Sequence, residues 1–335
     1  MRQISLCPPL ADCEKSLCPL WFSLLFTIKF LHFIYAMKKE QKSLAFALSA
    51  IFLWSTVATA FKLSLKGMSP EQLLFFASLT SAIVLGLLAH KNENLLSQLF
   101  SRKVTLKNIL FGLINPFLYY LVLFKAYDLL PAQEAQPLNY TWPITVSIFS
   151  IFFLGEKFNL RIFSGLLLSF FGIIIIATRG NLTQLKFENP LGTTLALLSA
   201  VIWAIFWTIN IKDKRPASIK LFASFFYGSF FTFIYLLIIN ELALPQFRFL
   251  LGAVYVGLFE MGITFFLWLK GLNLSSNRTK TATLAYLSPF ISLLFIAFIL
   301  KEEIRFSSII GLTLIVGGII IQNTRHKPSI KNSRK

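Results

Sequence analysis

Apolar runs long enough to cross a bilayer recur ten times in residues 43–323, and short polar breaks separate them. At 1.5 Å per residue, a helix of roughly 20 residues spans a hydrocarbon core of about 30 Å. Because lipid leaves no water to satisfy backbone polar groups, runs of this length predict membrane helices. The predicted helices lie at residues 43–62, 71–90, 107–127, 131–154, 159–178, 191–211, 218–239, 248–270, 278–299 and 306–323.

The composition excludes a water-soluble fold. Hydrophobic residues make up 56% of the chain and charged residues only 14%, whereas soluble domains carry about 25% charged residues. The net charge of +18 would favour nucleic-acid binding in a soluble protein. Here the Lys and Arg residues lie mostly in the segments between apolar runs. Most of these residues fall in segments on the same side of the membrane as the two termini. They therefore predict cytoplasmic termini, a lipid bilayer as the surroundings and no nucleic-acid partner.

The two halves of the chain resemble each other in sequence. Residues 138–179 match residues 284–325 at a constant offset. Because each half holds five helices, an odd number, the second half must enter the membrane from the opposite side. We therefore predict an all-α polytopic membrane protein whose ten transmembrane helices form two inverted five-helix repeats, residues 43–179 and 180–323. Matched pairs include Tyr140 with Tyr286, Pro143 with Pro289, Glu156 with Glu302, and Gly172 with Gly318.

The two ends of the chain differ from this body. Residues 1–42 form an N-terminal extension that is compatible with an extra membrane helix, an atypical signal segment or a start assigned too early. Met37, followed by two lysines, favours the third interpretation. Residues 324–335 are predicted to be a basic cytoplasmic tail.

Three stretches carry a resemblance to a known family. They are SAIFLWSTVATAFK in the first helix, PLNYTWPITVSIFSIFFLGEKF, and its partner LAYLSPFISLLFIAFILKEEI. They resemble the EamA-type ten-helix members of the drug/metabolite transporter superfamily. The resemblance covers about residues 43–323 and implies an exporter or exchanger of small organic metabolites, such as amino acids, in the bacterial inner (plasma) membrane. The LNYTWP stretch is also similar to the aromatic amino acid exporter group of that family.

A carboxyl group in the middle of the eighth run is the most informative polar residue. Placing a charge there costs about 2.5–3.5 kcal/mol, so Glu260 is predicted to face a central cavity and bind a cationic group or a proton. Its counterpart in the first half is Asn115. The alternative, nearly as common, is a protonated carboxyl bonded to a neighbouring helix.

Other predicted substrate-binding residues share helix faces or extend an aromatic surface. Residues three or four apart in a helix lie on one face, and aromatic rings suit a planar or cationic solute. The alternative for any single ring is an interfacial aromatic belt. Besides Glu260 and Asn115, the predicted residues are Gln136, Asn139 and Tyr140 in the fourth run, Trp203, Trp207 and Asn210 in the sixth, and Trp54, Tyr119 or Tyr120, and Tyr286.

Glycines in the fifth and tenth runs have a structural interpretation. Small residues let helix backbones approach closely in a membrane. We therefore predict close helix packing at Gly165, Gly172, Gly311, Gly317 and Gly318.

Catalytic chemistry finds little support in the sequence. From Met37 onward there is no Cys, and the histidines are only His90 and His326, at segment ends. No metalloprotease or nucleotide-binding motif occurs, so we predict no catalytic residue, no metal site and no cofactor. Inverted repeats are typical of secondary transporters that work by alternating access, with a proton or solute gradient as the energy source. The alternatives are a membrane-embedded enzyme and a non-transporting receptor or assembly protein.

Overall fold

The fold is a bundle of apolar helices, several of them interrupted. The computed structural model describes residues 38–90, 95–100, 102–154, 160–183, 187–211, 213, 215–276, 281 and 284–323. Within them the helices are α1 (Lys39–Ser64), α2 (Pro70–Ala89), α3 (Arg102–Gly112 and Tyr119–Leu129, joined by a π-helical turn, Leu113–Leu118), α4 (Ala132–Asn139 and Trp142–Leu154), α5 (Leu160–Ala177), α6 (Pro190–Ile211), α7 (Ala217–Ile238), α8 (Phe247–Phe259 and Ile263–Leu274), α9 (a 3₁₀ turn, Leu284–Leu287, then Ser288–Phe295 and a π-helical turn, Ile296–Leu300) and α10 (Phe306–Asn323). A short helix, Leu95–Phe100, precedes α3.

The predicted all-α membrane fold is confirmed. Among the described residues, α1, α2, α3, α5, α6, α7 and α8 are each long and apolar enough to cross a membrane, and α9 and α10 are shorter apolar helices. The fourth predicted helix exists as two pieces. The first helix begins at Lys39, four residues before the predicted start. The predictions on residues 1–37 and on the tail 324–335 fall outside the described residues.

Helix α2 shows how sequence sets a helix start. The Ser69 side chain accepts a hydrogen bond from the Gln72 backbone (3.3 Å), and the Gln72 side chain accepts one from the Ser69 backbone (3.1 Å). With Pro70 in the first helical position, this is a capping box that satisfies otherwise unpaired N–H groups.

Alternate loops meet at the same end of the bundle. The Gln72 side chain donates to the Glu241 carbonyl (3.0 Å), which joins the start of α2 to the loop after α7. At the other end, the Ser276 backbone donates to the Glu40 carboxylate (3.1 Å), which joins the end of α8 to the start of α1. We name the end where α1 starts the predicted cytoplasmic end, and the opposite end the predicted external end.

Contacts between helices occur in matched pairs across the two halves. Helix α1 packs on α8 as α6 packs on α3, α1 packs on α9 as α6 packs on α4, and α2 packs on α8 as α7 packs on α3. Helices α2 and α7 pack on each other, as do α5 and α10. Each contact therefore has an equivalent in which the two halves have exchanged roles. This pattern is expected of two five-helix units related by an approximate two-fold axis.

Helices α5 and α10 approach each other through glycines. A Cβ atom on Gly172 would lie 2.6 Å from the Gly311 carbonyl oxygen, and one on Gly318 would lie 2.4 Å from the Gly165 carbonyl oxygen. The prediction of close packing is confirmed at these positions. It is wrong for Gly317, whose Cβ would meet only the Leu168 side chain, at 3.6 Å.

Candidate functional site

The third helix of each half is interrupted near its middle. In α3 the break centres on Asn115, which has φ −144° and ψ 121° and precedes a cis peptide bond to Pro116. In α8 the helix stops at Phe259 and resumes at Ile263, with Gly262 at φ −111° and ψ −96°. Asn115 and Glu260, which the internal repeat matches, therefore both lie at breaks.

The fourth helix of each half is interrupted as well. Helix α4 ends at Asn139 and restarts at Trp142, so Tyr140 lies in the break. In α9 the 3₁₀ turn that contains Tyr286 precedes the regular helix. Tyr140 and Tyr286 are both half-buried. Interrupted helices expose backbone groups that can serve as ligands inside a membrane protein.

Glu260 is contacted from two other helices. Its Oε1 accepts a hydrogen bond from the Tyr120 hydroxyl of α3 (3.1 Å). Its backbone carbonyl accepts a long hydrogen bond from Trp54 Nε1 of α1 (3.5 Å). Among the described residues it forms no salt bridge. Its carboxyl group thus has one hydrogen-bond donor, the Tyr120 hydroxyl, and no counter-charge among the described residues.

A row of aromatic rings runs beside Glu260. Trp203 lies at the centre of the row, with ring centroids 4.8 Å from Tyr119, 6.1 Å from Phe265 and 6.2 Å from Trp207, on which it stacks. Phe265 continues to Trp54, at 5.7 Å. These rings come from α1, α3, α6 and α8, so both halves contribute to the row.

Two ring residues of the row were not predicted from the sequence. Trp268 lies 5.4 Å from Trp54, and Phe265 joins Trp54 to Trp203. The spacing of three within α8 was the available signal, since it puts both rings on one helix face.

The polar residues of α4 occupy different positions in the site. Asn139 accepts from the Tyr119 hydroxyl (3.4 Å) and donates to the Ser199 hydroxyl (2.9 Å), so it ties α4 to α3 and α6. Gln136 is buried, and its Oε1 has no hydrogen-bond partner among the described residues; the same holds for Asn115 Oδ1. Buried polar atoms are normally paired, so these two carboxamides are candidates for contacting a ligand.

Asn210 lies away from the aromatic row, although its spacing predicted that it shares a helix face and a binding role with Trp203 and Trp207. Its Oδ1 accepts a hydrogen bond from Lys220 Nζ (2.8 Å), and Lys220 also donates to the Asp213 carbonyl (3.0 Å). The cause is its place in the last turn of α6, where a cation satisfies the free carbonyl end of the helix. Its side chain belongs to the predicted cytoplasmic end.

An ion cluster at that end centres on Asp213. Its side chain is 2% exposed and lies 2.7 Å from Arg215 Nη2 and 3.1 Å from Lys107 Nζ. Burial alone would raise the pKa of Asp213, but hydrogen bonds from the Arg215 side chain and backbone and from Lys107 outweigh it. They hold the pKa below its usual value. The cluster joins α3 to the loop between α6 and α7.

A second ion cluster lies at the predicted external end. Glu134 is buried at the start of α4, and its Oε1 accepts hydrogen bonds from Arg179 Nε (2.9 Å) and from Arg305 Nη1. Nearby, Lys62 Nζ donates to the Tyr127 and Leu130 carbonyls (2.8 and 3.1 Å), which end α3. In this conformation, ion pairs therefore join the start of α4 to the end of α5 and to the start of α10.

Metal chemistry has no support in the described part of the chain. Nowhere in it do three or more His, Cys, Asp or Glu residues come close enough together to hold a metal ion.

Comparison with known proteins supports the same architecture. The model of the EamA-like transporter family matches residues 41–178 and 190–324, one match for each half. A solved crystal structure aligns with a TM-score of 0.60 over 85% of this chain and 98% of its own chain, at 22% identity, a likeness that concerns the fold alone.

Several curated bacterial proteins are similar in sequence. The uncharacterized transporter YvbV of Bacillus subtilis is 29% identical over 64% of this chain and 71% of its own length. The aromatic amino acid exporter YddG of Ancylobacter novellus is 27% identical over 82% of this chain and 94% of its own length. The exporter of the same name from Escherichia coli is 28% identical over 57% of this chain and 66% of its own length.

Proposed function

The chain belongs to the EamA-like transporter family, and on that premise we propose that it is a secondary exporter or exchanger of amino acids. The proposed cargo carries an amine group and a planar or apolar side chain. The observation that carries the proposal is the meeting of one carboxyl group, Glu260, with the aromatic row between the two halves of the bundle.

The chemistry of the cargo follows from the groups that face it. An ammonium group pairs with a carboxylate and also interacts favourably with aromatic faces. The rings of Trp54, Trp203 and Trp207 offer a flat apolar surface for a side chain. The unpaired carboxamide oxygens of Asn115 and Gln136 can accept hydrogen bonds from the ammonium group of the cargo. The names of the YddG relatives, aromatic amino acid exporters, point to the same class of solute.

Alternating access is the mechanism that we propose. Two similar halves that exchange conformations open one central site to each side in turn. The breaks in α3, α4, α8 and α9 lie at equivalent places in the two halves, so one motion copied through the symmetry yields both states. Glu260 would bind either the cargo ammonium or a proton, which provides a route for proton coupling.

The proposed setting is the bacterial inner membrane with both termini in the cytoplasm. The support is the excess of Lys and Arg in segments on the side of the termini.

Counterflow in proteoliposomes tests the function and the role of Glu260 together. Vesicles loaded with unlabelled phenylalanine should accumulate labelled phenylalanine in preference to labelled alanine. A hydrogen bond or ion pair to a charged group contributes about 1.5–3 kcal/mol, so Glu260→Gln should slow counterflow by about tenfold or more and flatten its pH dependence.

The matched control is Glu241→Gln, the same substitution at an exposed position in the loop after α7, which should leave counterflow unchanged. An unaltered rate and pH profile in Glu260→Gln would exclude its role. Absence of counterflow with every amino acid in the wild-type protein would exclude the proposed cargo class.

A further inference from the structure

A groove opens on the outer surface of the bundle between α1, α8 and α9. It has a volume of about 760 Å³ and is lined by the second half of α1, the start of α8 and the end of α9. Ligand pockets in proteins span about 300–1,000 Å³, so the groove is of ligand size.

The groove is separate from the aromatic row. On α1, Trp54, Val57 and Phe61 share the face that looks into the bundle, and Val57 and Phe61 are buried. Thr56 and Leu63 line the groove, and the helical repeat puts them on roughly the opposite face. The groove therefore faces the lipid and not the centre of the transporter.

The walls of the groove are apolar and exposed. Leu63 is 38% exposed, Leu251 is 52% exposed and Ile299 is 50% exposed. A wall of this kind in a membrane-spanning region contacts hydrocarbon chains.

Two cations lie at the mouth of the groove. Lys66 and Arg248 are both exposed lining residues at the predicted external end. The Arg248 guanidinium is held over the Phe249 ring, 4.4 Å from its centroid. In the described part of the chain neither cation forms a salt bridge. The mouth therefore offers two positive charges without a protein counter-charge.

Polar groups lie between the mouth and the deep end. Ser64 and Thr59 line the groove, and their hydroxyl oxygens are buried without a hydrogen-bond partner among the described residues. One turn deeper, the Thr56 and Tyr255 hydroxyls bond to each other (2.7 Å). The cations thus lie at the mouth of the groove, the apolar wall begins directly below them, and the paired Thr56 and Tyr255 hydroxyls lie deepest.

We propose that this groove binds one anionic phospholipid of the leaflet at the predicted external end. The phosphate lies between Lys66 and Arg248, and an acyl chain follows the exposed apolar side chains of Leu63 and Ile299. Each of these contacts pairs a group of the lipid with side chains of matching chemistry from α1, α8 or α9.

Native mass spectrometry and thermal unfolding of the detergent-purified full chain test the proposal. The probes are phosphatidylglycerol, phosphatidylcholine with the same acyl chains, and glycerol 3-phosphate. Of the three probes, only phosphatidylglycerol should remain bound and raise the melting temperature, because a ligand that binds only the folded state stabilises it. Replacing both cations, Lys66→Ala with Arg248→Ala, should weaken its retention by about tenfold or more.

The control variant removes the same charge at the other end, Lys38→Ala with Lys39→Ala, and should retain the lipid. Ala60→Phe, which fills the groove and keeps both cations, should lose it; if that variant does not fold, the cation pair decides. Equal binding of the two lipids, equal loss in the control variant, or full retention in the Lys66/Arg248 variant would overturn the proposal. Stabilisation by glycerol 3-phosphate alone would show an anion site and would overturn it as well.

Discussion

Replacing Gly311 by alanine tests whether the glycine contact between α5 and α10 limits how closely these helices pack. A Cβ atom on Gly311 would lie 2.7 Å from the Gly172 carbonyl oxygen and 2.4 Å from Ile176 Cγ1. Ordinary contact begins at about 3.4 Å, so the two backbones must separate by several tenths of an ångström. Overpacking of this kind costs about 1–3 kcal/mol.

The neighbouring glycine gives a matched control. Gly317→Ala makes the same substitution in the same helix, but its Cβ would meet only Leu168 Cδ2, at 3.6 Å. Both variants gain up to about 1 kcal/mol of helix propensity. That gain cancels in the comparison, so Gly311→Ala should unfold more easily than Gly317→Ala by about 1–3 kcal/mol.

The assay is equilibrium unfolding in mixed detergent micelles, followed by circular dichroism. Gly318→Ala, whose Cβ would lie 2.4 Å from the Gly165 carbonyl oxygen, should behave like Gly311→Ala although it adjoins Gly317. Equal free energies of unfolding in all three variants would refute the argument from backbone approach.

Two further predictions concern the ends of the bundle. Asp213→Asn removes the partner of Arg215 and Lys107 and should lower the free energy of unfolding by about 1–3 kcal/mol near neutral pH. Because the folded state holds the pKa of Asp213 below its usual value, this stabilisation is fully present above about pH 4 and is lost progressively as the pH falls towards the folded-state pKa. The difference in melting temperature between the two proteins should therefore narrow from about pH 7 to pH 3, and a constant difference would contradict the assignment. Lys62→Met removes the two hydrogen bonds to the last carbonyls of α3 and should lower the free energy of unfolding by about 1–2 kcal/mol. The same melting experiments measure this loss, and Lys62→Arg should recover most of it. A melting temperature unchanged by Lys62→Met would show that other groups satisfy the end of the helix.

The helices were predictable because each segment must satisfy its own backbone in lipid, and apolar length reports that requirement directly. The predicted and observed ranges agree within a few residues for α2 and α10. The break in α8 was not predicted. Gly262 alone marks it, and an isolated glycine is common in unbroken membrane helices.

The candidate site was predictable only in part. Spacing along one helix placed Trp203 and Trp207 together, and the structure confirms that they stack. Asn210 shares that spacing yet lies with Lys220, because residues on one face of a long helix still differ in depth. The contact between Tyr120 and Glu260 joins helices far apart in sequence, and helical periodicity carries no information about which distant helices meet.

The interrupted helices have a consequence for how such a protein can change its cargo during evolution. At a break, the carbonyl and amide groups of the main chain are present whatever side chain a mutation supplies. Contacts made by those groups would survive substitutions that reshape the aromatic surroundings. Preference among solutes could then change by single side-chain replacements, while the contacts made by the main chain stay constant.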